Sequence, residues 1–251
     1  MLRHKTTIPN LLPTAHEHIF YDSGNMHFLL FDADSFEIGI YGKFAEAEHG
    51  YDEYNDRQNG IQPFREDVSG ATVRLLCAIE PGLHRGVLRE GLQDTPKRVA
   101  KAWEHWTRGY SADIAGILKV FEDGAENYDE MVVVRDIPIY SKCEHHLADI
   151  FGTATIAYIP NGKVVGLSKL SRLADAFARR LQVQERMTVQ IADALVEHLA
   201  PLGVGVVIKA RHMCMESRGL CQQGHHTVTS ALRGKLKDDP QARAEFLALA
   251  Q

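Results

Sequence analysis

The spacing of apolar residues changes character along the chain. Residues 1–66 mix Asp, Glu, Tyr, Gly and Asn with short apolar runs. Within them Met26-His27-Phe28-Leu29-Leu30-Phe31 predicts a strand, and the alternation in Phe36-Glu37-Ile38-Gly39-Ile40-Tyr41 predicts another. Residues 52–63 read as a linker. From about residue 68 the pattern firms. Residues 68–79 are helix-like and stop at Pro81-Gly82. Asp94-Thr95-Pro96 predicts a helix start, an N-cap followed by proline in the first turn, and the helix over 97–108 carries Val99, Ala100, Trp103 and Trp106. Residues 132–139 and 151–159 predict strands, with Pro160-Asn161-Gly162 as a turn from which Lys163-Val164-Val165 returns. Ser168 is expected to cap a helix whose apolar face is Leu170, Leu173, Ala174, Phe177 and Leu181. A further helix over 184–199 buries Met187, Ile191, Ala194 and Leu195 and ends at Pro201-Leu202-Gly203. Residues 204–210 form a strand that runs into His212.

Paired strands separated by paired helices indicate an α+β fold with a largely antiparallel sheet. The expected organisation is an N-terminal extension over 1–66, of no assignable fold, and one domain over 67–251. Composition is that of an ordinary globular chain, 45% hydrophobic and 24% charged over 251 residues. No apolar run approaches the ~20 residues needed to cross a bilayer. The first twenty positions carry scattered charges and lack the apolar core of a secretory signal. The net charge of −5 argues against general nucleic-acid coating and against a direct nucleic-acid partner, yet leaves room for a local basic pocket. Four cysteines, Cys77, Cys143, Cys214 and Cys221, are too few for a disulfide framework. A reducing cytoplasm is therefore the expected location, and metal or catalytic use of thiols is favoured over bridging.

Chemistry concentrates in two short clusters, Cys143-Glu144-His145-His146 and His212-Met213-Cys214. Each follows a predicted strand, so both are held on the frame of the sheet. Zinc takes nitrogen and sulfur ligands, and a catalytic zinc keeps one of its four positions for water. A closed structural site would use both cysteines and two imidazoles. An open one would use Cys143, His146 and Cys214, leaving His145 and His212 able to move protons. Spacing alone leaves both arrangements open. Glu144 suits an orienting role better than ligation.

Basic residues flank these clusters. Lys169 and Arg172 share a face near the start of the helix beginning about Ser168, where unpaired N–H groups already favour anions. Arg98 and Lys101 repeat the spacing at another helix start, and Arg218 follows Cys214 closely. Together they suggest a polyphosphate cradle. Gln184-Glu185-Arg186 opens the next helix. A carboxylate there suits the helix start, or accepts the adjacent N1–H and 2-amino donors of guanine.

Several motifs, in order, resemble those of GTP cyclohydrolase I of the zinc-dependent type: Asp94-Thr95-Pro96-Lys97-Arg98-Val99-Ala100-Lys101, Cys143-Glu144-His145-His146, Gly166-Leu167-Ser168-Lys169-Leu170, Gln182-Val183-Gln184-Glu185-Arg186, His212-Met213-Cys214-Met215 and Thr227-Val228-Thr229-Ser230. The similarity spans about residues 68–250. It implies a tunnelling fold, with subunit sheets joined into a barrel in a homodecamer, and active sites shared between subunits. It implies conversion of GTP and water to 7,8-dihydroneopterin triphosphate and formate, by attack of a zinc-activated water on guanine C8. By the same resemblance Cys143, His146 and Cys214 bind Zn2+, and His145 and His212 relay protons. Glu185 and Gln184 hold the guanine edge, and Ser168 meets the ribose. Lys169, Arg172, Arg218, Arg98 and Lys101 hold the triphosphate, with the Arg98–Lys101 region supplied by a neighbouring subunit. The competing readings are a non-catalytic zinc-stabilised module for a purine nucleotide, and another tunnelling-fold enzyme acting on pterins or deazapurines. Residues 1–66 do not resemble the helical leader of the family. Their five histidines, His4, His16, His18, His27 and His49, read as dispersed surface residues.

Overall fold

A computed structural model of the chain describes residues 16–22, 25–31, 41–44, 61–81, 83, 88–121 and 128–250. The chain divides into two compact units, residues 1–59 and 60–251. In the first, strands β1 (His16–Asp22), β2 (Asn25–Phe31) and β3 (Tyr41–Phe44) form an antiparallel sheet in that order. β2 is the strand expected from the Met26–Phe31 run. Of the second predicted strand only Tyr41 is among the described residues. β1 carries no clear alternation and is missed by pattern reading.

The second unit starts earlier than the sequence pattern suggests. Helix α1 (Ile61–Ile79) takes in the end of the presumed linker, so the structural boundary falls before Gly60. Helix α2 (Thr95–Thr107) begins as expected, with Pro96 in its first turn. Asp94, however, makes no side-chain capping bond. Its carboxylate takes Arg98 instead, at 3.2 Å. Short helix α3 (Ile114–Ile117) and strand β4 (Val120–Phe121) lead toward the main sheet.

That sheet is built from β5 (Val132–Cys143), β6 (Asp149–Ile159), β8 (Leu181–Gln182), β9 (Gly203–His212) and β10 (Thr227–Gly234), in the order β10-β9-β6-β5-β8. All neighbours are antiparallel except β5 and β8. Between β6 and β8 come the two-residue strand β7 (Val164–Val165) and helix α4 (Leu167–Ala178); α5 (Gln184–Leu199) precedes β9. The α+β class is thus the observed one. β7 does not return onto β6 as the turn at Pro160-Asn161-Gly162 suggests. It pairs with β4, and its Val165 N–H donates to the buried Tyr158 hydroxyl at 3.1 Å.

One face of the sheet packs against α4 and α5. Ile137 and Ile139 of β5, Ile150, Ile156 and Tyr158 of β6, and Val204, Val206 and Ile208 of β9 meet Leu170, Leu173 and Phe177 of α4 and Met187, Ile191 and Leu195 of α5. Period-two burial from the strands meets period-3.6 burial from the helices. Each such large side chain contributes roughly 1.5–3 kcal/mol by leaving water. Leu181, assigned from sequence to the α4 face, lies beyond the helix in β8. Three short helices complete the unit: α6 (Met213–Glu216), α7 (Lys235–Asp238) and α8 (Pro240–Leu249). Leu236 of α7 and Phe246 of α8 form a second core with Ala157 and Ile159. Pattern reading does not assign these three helices.

The sheet tolerates no side chain at Gly152. A Cβ there would stand 2.0 Å from the Lys209 carbonyl oxygen and 2.6 Å from the Ala210 Cα. Backbone atoms cannot swing aside, so β6 and β9 would have to part. Gly152→Ala is therefore expected to destabilise the protein by on the order of 3 kcal/mol, seen as a lowered unfolding midpoint.

Asp175 ties α4 to the residue that follows α2. It accepts from Arg108 at 2.5 Å and from Arg179 Nε at 3.0 Å. Partial burial pushes its pKa up, but the hydrogen bond from Arg108 and the charges of Arg179 and Arg108 outweigh this and hold it below the usual range. A depressed carboxylate stabilises the fold above its unfolded pKa and loses that contribution as pH falls through its folded value. Asp175→Asn should lower stability at pH 7 by roughly 1 kcal/mol. It should also make the thermal midpoint less sensitive to pH below the ordinary carboxylate range, as read from melts at graded pH.

Candidate metal centre and substrate pocket

Cys143 is the last residue of β5, and the chain turns sharply after it. The Cys143 carbonyl accepts from Leu147 N–H at 2.8 Å, and its N–H donates to Ala148 O at 2.8 Å. Closing so tight a turn requires a left-handed residue, and Leu147 supplies it at φ 55°. A branched residue there costs roughly 1 kcal/mol, a strain typical of functional loops. The turn brings His146 Nδ1 to 3.7 Å from Cys143 Sγ.

Cys214 arrives from the other side of the sheet. The register opposes Ser141 to Ile150 and Ile150 to His212, so the ends of β5 and β9 lie at the same edge. Helix α6 then turns Cys214 inward. Its base is clamped by the buried Glu216, which accepts from Arg211 Nε at 2.8 Å and from a second Arg211 nitrogen. No motif in the sequence singled out Glu216.

The donor atoms of Cys143, His146 and Cys214 lie within 4.8 Å of one another. Tetrahedral zinc with ordinary Zn–S and Zn–N lengths spaces its ligands by about 3.5–3.8 Å, so the cluster is compatible with a cation site that is completed by a small closing of the donors. Its electrostatics point the same way. Burial raises the Cys214 pKa, and the neighbouring Cys143 raises it further. Two converging thiolates disfavour each other until a cation lies between them. Among the described residues the cluster numbers three, and neither His145 nor His212 belongs to it. Three convergent donors are compatible with the open arrangement.

The two remaining histidines have different settings. His145 is exposed on the turn, its ring centroid 6.2 Å from that of His146. His212 ends β9 and is half-buried. Burial lowers its pKa most; Glu185 and Glu216 act upward and His225 downward. Its Nε2 lies 2.7 Å from Gln184 Oε1.

Glu185 is exposed in the first turn of α5, within electrostatic reach of His212. Gln184, expected to share a guanine edge with Glu185, sits differently from its neighbour. Its side chain is buried and bonded to protein on both its oxygen and its nitrogen. Glu144 lies outside the donor cluster. Its carboxylate is bonded to Arg186 of α5, which holds it below the usual range, and its N–H donates to Gln182 O at 3.1 Å. The metal turn is thereby fastened to the turn that carries Glu185.

Of the basic residues, Arg218 acts electrostatically on Cys214 and so stands near the cluster. Ser168 does not cap α4; Gly166 holds that position and Ser168 lies inside the first turn, exposed. Lys169 Nζ donates to the Lys119 carbonyl at 2.7 Å, and Arg172 is exposed on the same helix. Arg98 and Lys101 are exposed on α2, and Arg98 pairs with Asp94 of its own helix. α2 meets the sheet through Trp103 and Trp106. The Lys142 ammonium lies 3.5 Å from the Trp106 ring centre and is paired with Asp149. That attachment lines a cavity of about 420 Å³ with Trp106, Tyr140, Lys142, Phe151 and Arg179.

A three-donor Cys-His-Cys cluster at the ends of neighbouring sheet strands, with two further histidines outside it, defines an α+β protein with a candidate metal centre. The sequence profile of GTP cyclohydrolase I matches residues 75–251. The GTP cyclohydrolase 1 of Janthinobacterium sp. (strain Marseille) is 67% identical over 163 residues, covering 65% of this chain and 82% of that one. That of Nitrosospira multiformis is 63% identical over 163 residues, covering 65% and 85%. That of Saccharomyces cerevisiae is 49% identical over 221 residues, covering 87% and 85%. The chain belongs to the GTP cyclohydrolase I family and is an enzyme. Among the described residues no helix is long and apolar enough to cross a membrane.

Proposed function

We propose that this enzyme converts GTP and water to 7,8-dihydroneopterin triphosphate and formate, with zinc held by Cys143, His146 and Cys214. The observation that carries the proposal is the convergence of those three donors within 4.8 Å while two histidines stay outside the cluster. Zinc bound there would supply the Lewis acidity that brings the pKa of water from 15.7 to about 7. The rest of the work falls to side chains. His145, on the exposed turn, is suited to deliver a proton to guanine N7 as the bond to C8 breaks, and His212 to move the second proton. Glu185 accepts N1–H and the 2-amino group, which distinguishes guanine from adenine. Ser168 meets the ribose. Lys169, Arg172 and Arg218 neutralise the triphosphate, and Arg98 and Lys101 complete the cradle from a neighbouring subunit of a homodecamer.

The test is formate release from GTP by the purified protein, before chelation, after chelation, and after zinc is restored. Product that disappears and returns supports the proposal. A zinc-replete protein that releases no formate from GTP overturns it.

A further inference from the structure

We propose that Gln184 is a positioning residue, whose buried amide holds His212 in one ring orientation with its hydrogen on Nε2. The inference rests on the reading of His212 as a proton carrier. Gln184 opens α5, yet it is only 1% exposed. A buried amide must satisfy two N–H donors and a carbonyl acceptor within the protein. Its nitrogen lies 3.1 Å from Ile208 O, 3.0 Å from Thr227 O and 3.0 Å from Thr229 Oγ1. Two of these partners are backbone carbonyls, which only accept. The atom facing them must therefore be nitrogen, and the atom facing His212 must be oxygen.

The hydroxyls agree. Thr188 Oγ1 donates its single hydrogen to the Gln184 backbone carbonyl at 2.7 Å. In the 2.7 Å contact between Thr188 and Thr229, Thr229 must then be the donor. With its hydrogen committed there, Thr229 Oγ1 can only accept from Gln184. The sheet fixes this geometry, because Thr229 lies opposite Ile208 and Thr227 opposite Ala210 in the β9–β10 register. At the other end of the amide, Oε1 is an acceptor 2.7 Å from His212 Nε2, so that nitrogen carries a hydrogen. In the neutral ring Nδ1 is left as the acceptor. Gln184 acts on the reaction through His212 and leaves the guanine edge to Glu185.

Gln184→Met keeps the length of the side chain and removes its polarity. Steady-state kinetics with GTP and with inosine triphosphate, which lacks the 2-amino group, separate the two possible roles. The positioning role predicts kcat lower by about 10- to 100-fold, KM for GTP within about twofold, and an unchanged preference for GTP over inosine triphosphate. In a His212→Ala background Gln184→Met should lower kcat no further. A KM raised about tenfold, or a lost preference for GTP, makes Gln184 a substrate contact and overturns the proposal. Should Gln184→Met fail to fold, Thr229→Val, which removes one acceptor from the same network, is read by the same measurements. Nitrogen-15 spectra of the His212 ring report its tautomer without turnover. An Nδ1–H tautomer in the wild-type protein also overturns the proposal. Absence of any GTP turnover by wild-type protein would instead strike the proposed function, while the hydrogen on His212 is still decided by the nitrogen-15 spectrum.

Discussion

Cys214→Ala is expected to strip the protein of its metal and to lower formate release from GTP by ~10³-fold or more. The cluster has three protein donors among the described residues, so removing one leaves a two-donor site. Two donors, one of them an exposed histidine, cannot retain zinc against dilution and chelators. The fold should survive, because Cys214 packs only at the margin of a core built by Ile139, Ile156, Leu173, Ile191 and their neighbours. Metal content by elemental analysis, the thermal midpoint and formate release are the three readouts. Retained zinc at wild-type stoichiometry would show that Cys214 is not a ligand.

His145→Ala is expected to separate binding from chemistry. Metal content and the affinity for GTP should be close to wild type, while turnover falls by about 10²–10⁴-fold, the usual contribution of a positioned proton carrier. The reason is geometric. His146, not His145, places its ring nitrogen beside Cys143, and His145 stands outside the donor cluster on the exposed side of the turn. If the metal is lost with His145, the two adjacent histidines have their roles reversed. If turnover is unaffected, proton delivery falls to another group, with His212 the other proposed proton carrier.

The two predictions draw on different amounts of sequence information. That Cys143, His146 and Cys214 form one site was legible as an option, because thiols and imidazoles at these spacings followed predicted strands. Which donors converge, and which stay outside, was not. It depended on where the side chains of His145 and His212 end up, which the β5 turn and the β9–β6 register decide. The helices α4 and α5 were legible because their apolar stripes are long and regular. β10 and α6 to α8 were not, because β10 is partly polar and the helices are short. Ser168 and Asp94 looked like caps by residue type, but neither side chain makes the bond. In α4 the helix starts two residues earlier than expected, at Leu167 after Gly166, and in α2 the carboxylate of Asp94 is taken by Arg98.

Gln184 shows the limit most clearly. In the chain it is a polar residue beside Glu185 at a helix start, and the natural inference is that both face a ligand. In the fold its amide turns inward between β9 and β10, and only Glu185 remains outside. Periodicity and residue chemistry alone indicated an α+β protein and a candidate set of metal donors. Those are properties of short segments, which carry their own pattern wherever they are placed. Which nitrogen of which histidine is held, and by what, came only from strands and helices distant in sequence meeting at one edge of the sheet. A hydrogen bond needs both partners at a set distance and angle, and only the packed structure supplies the second one.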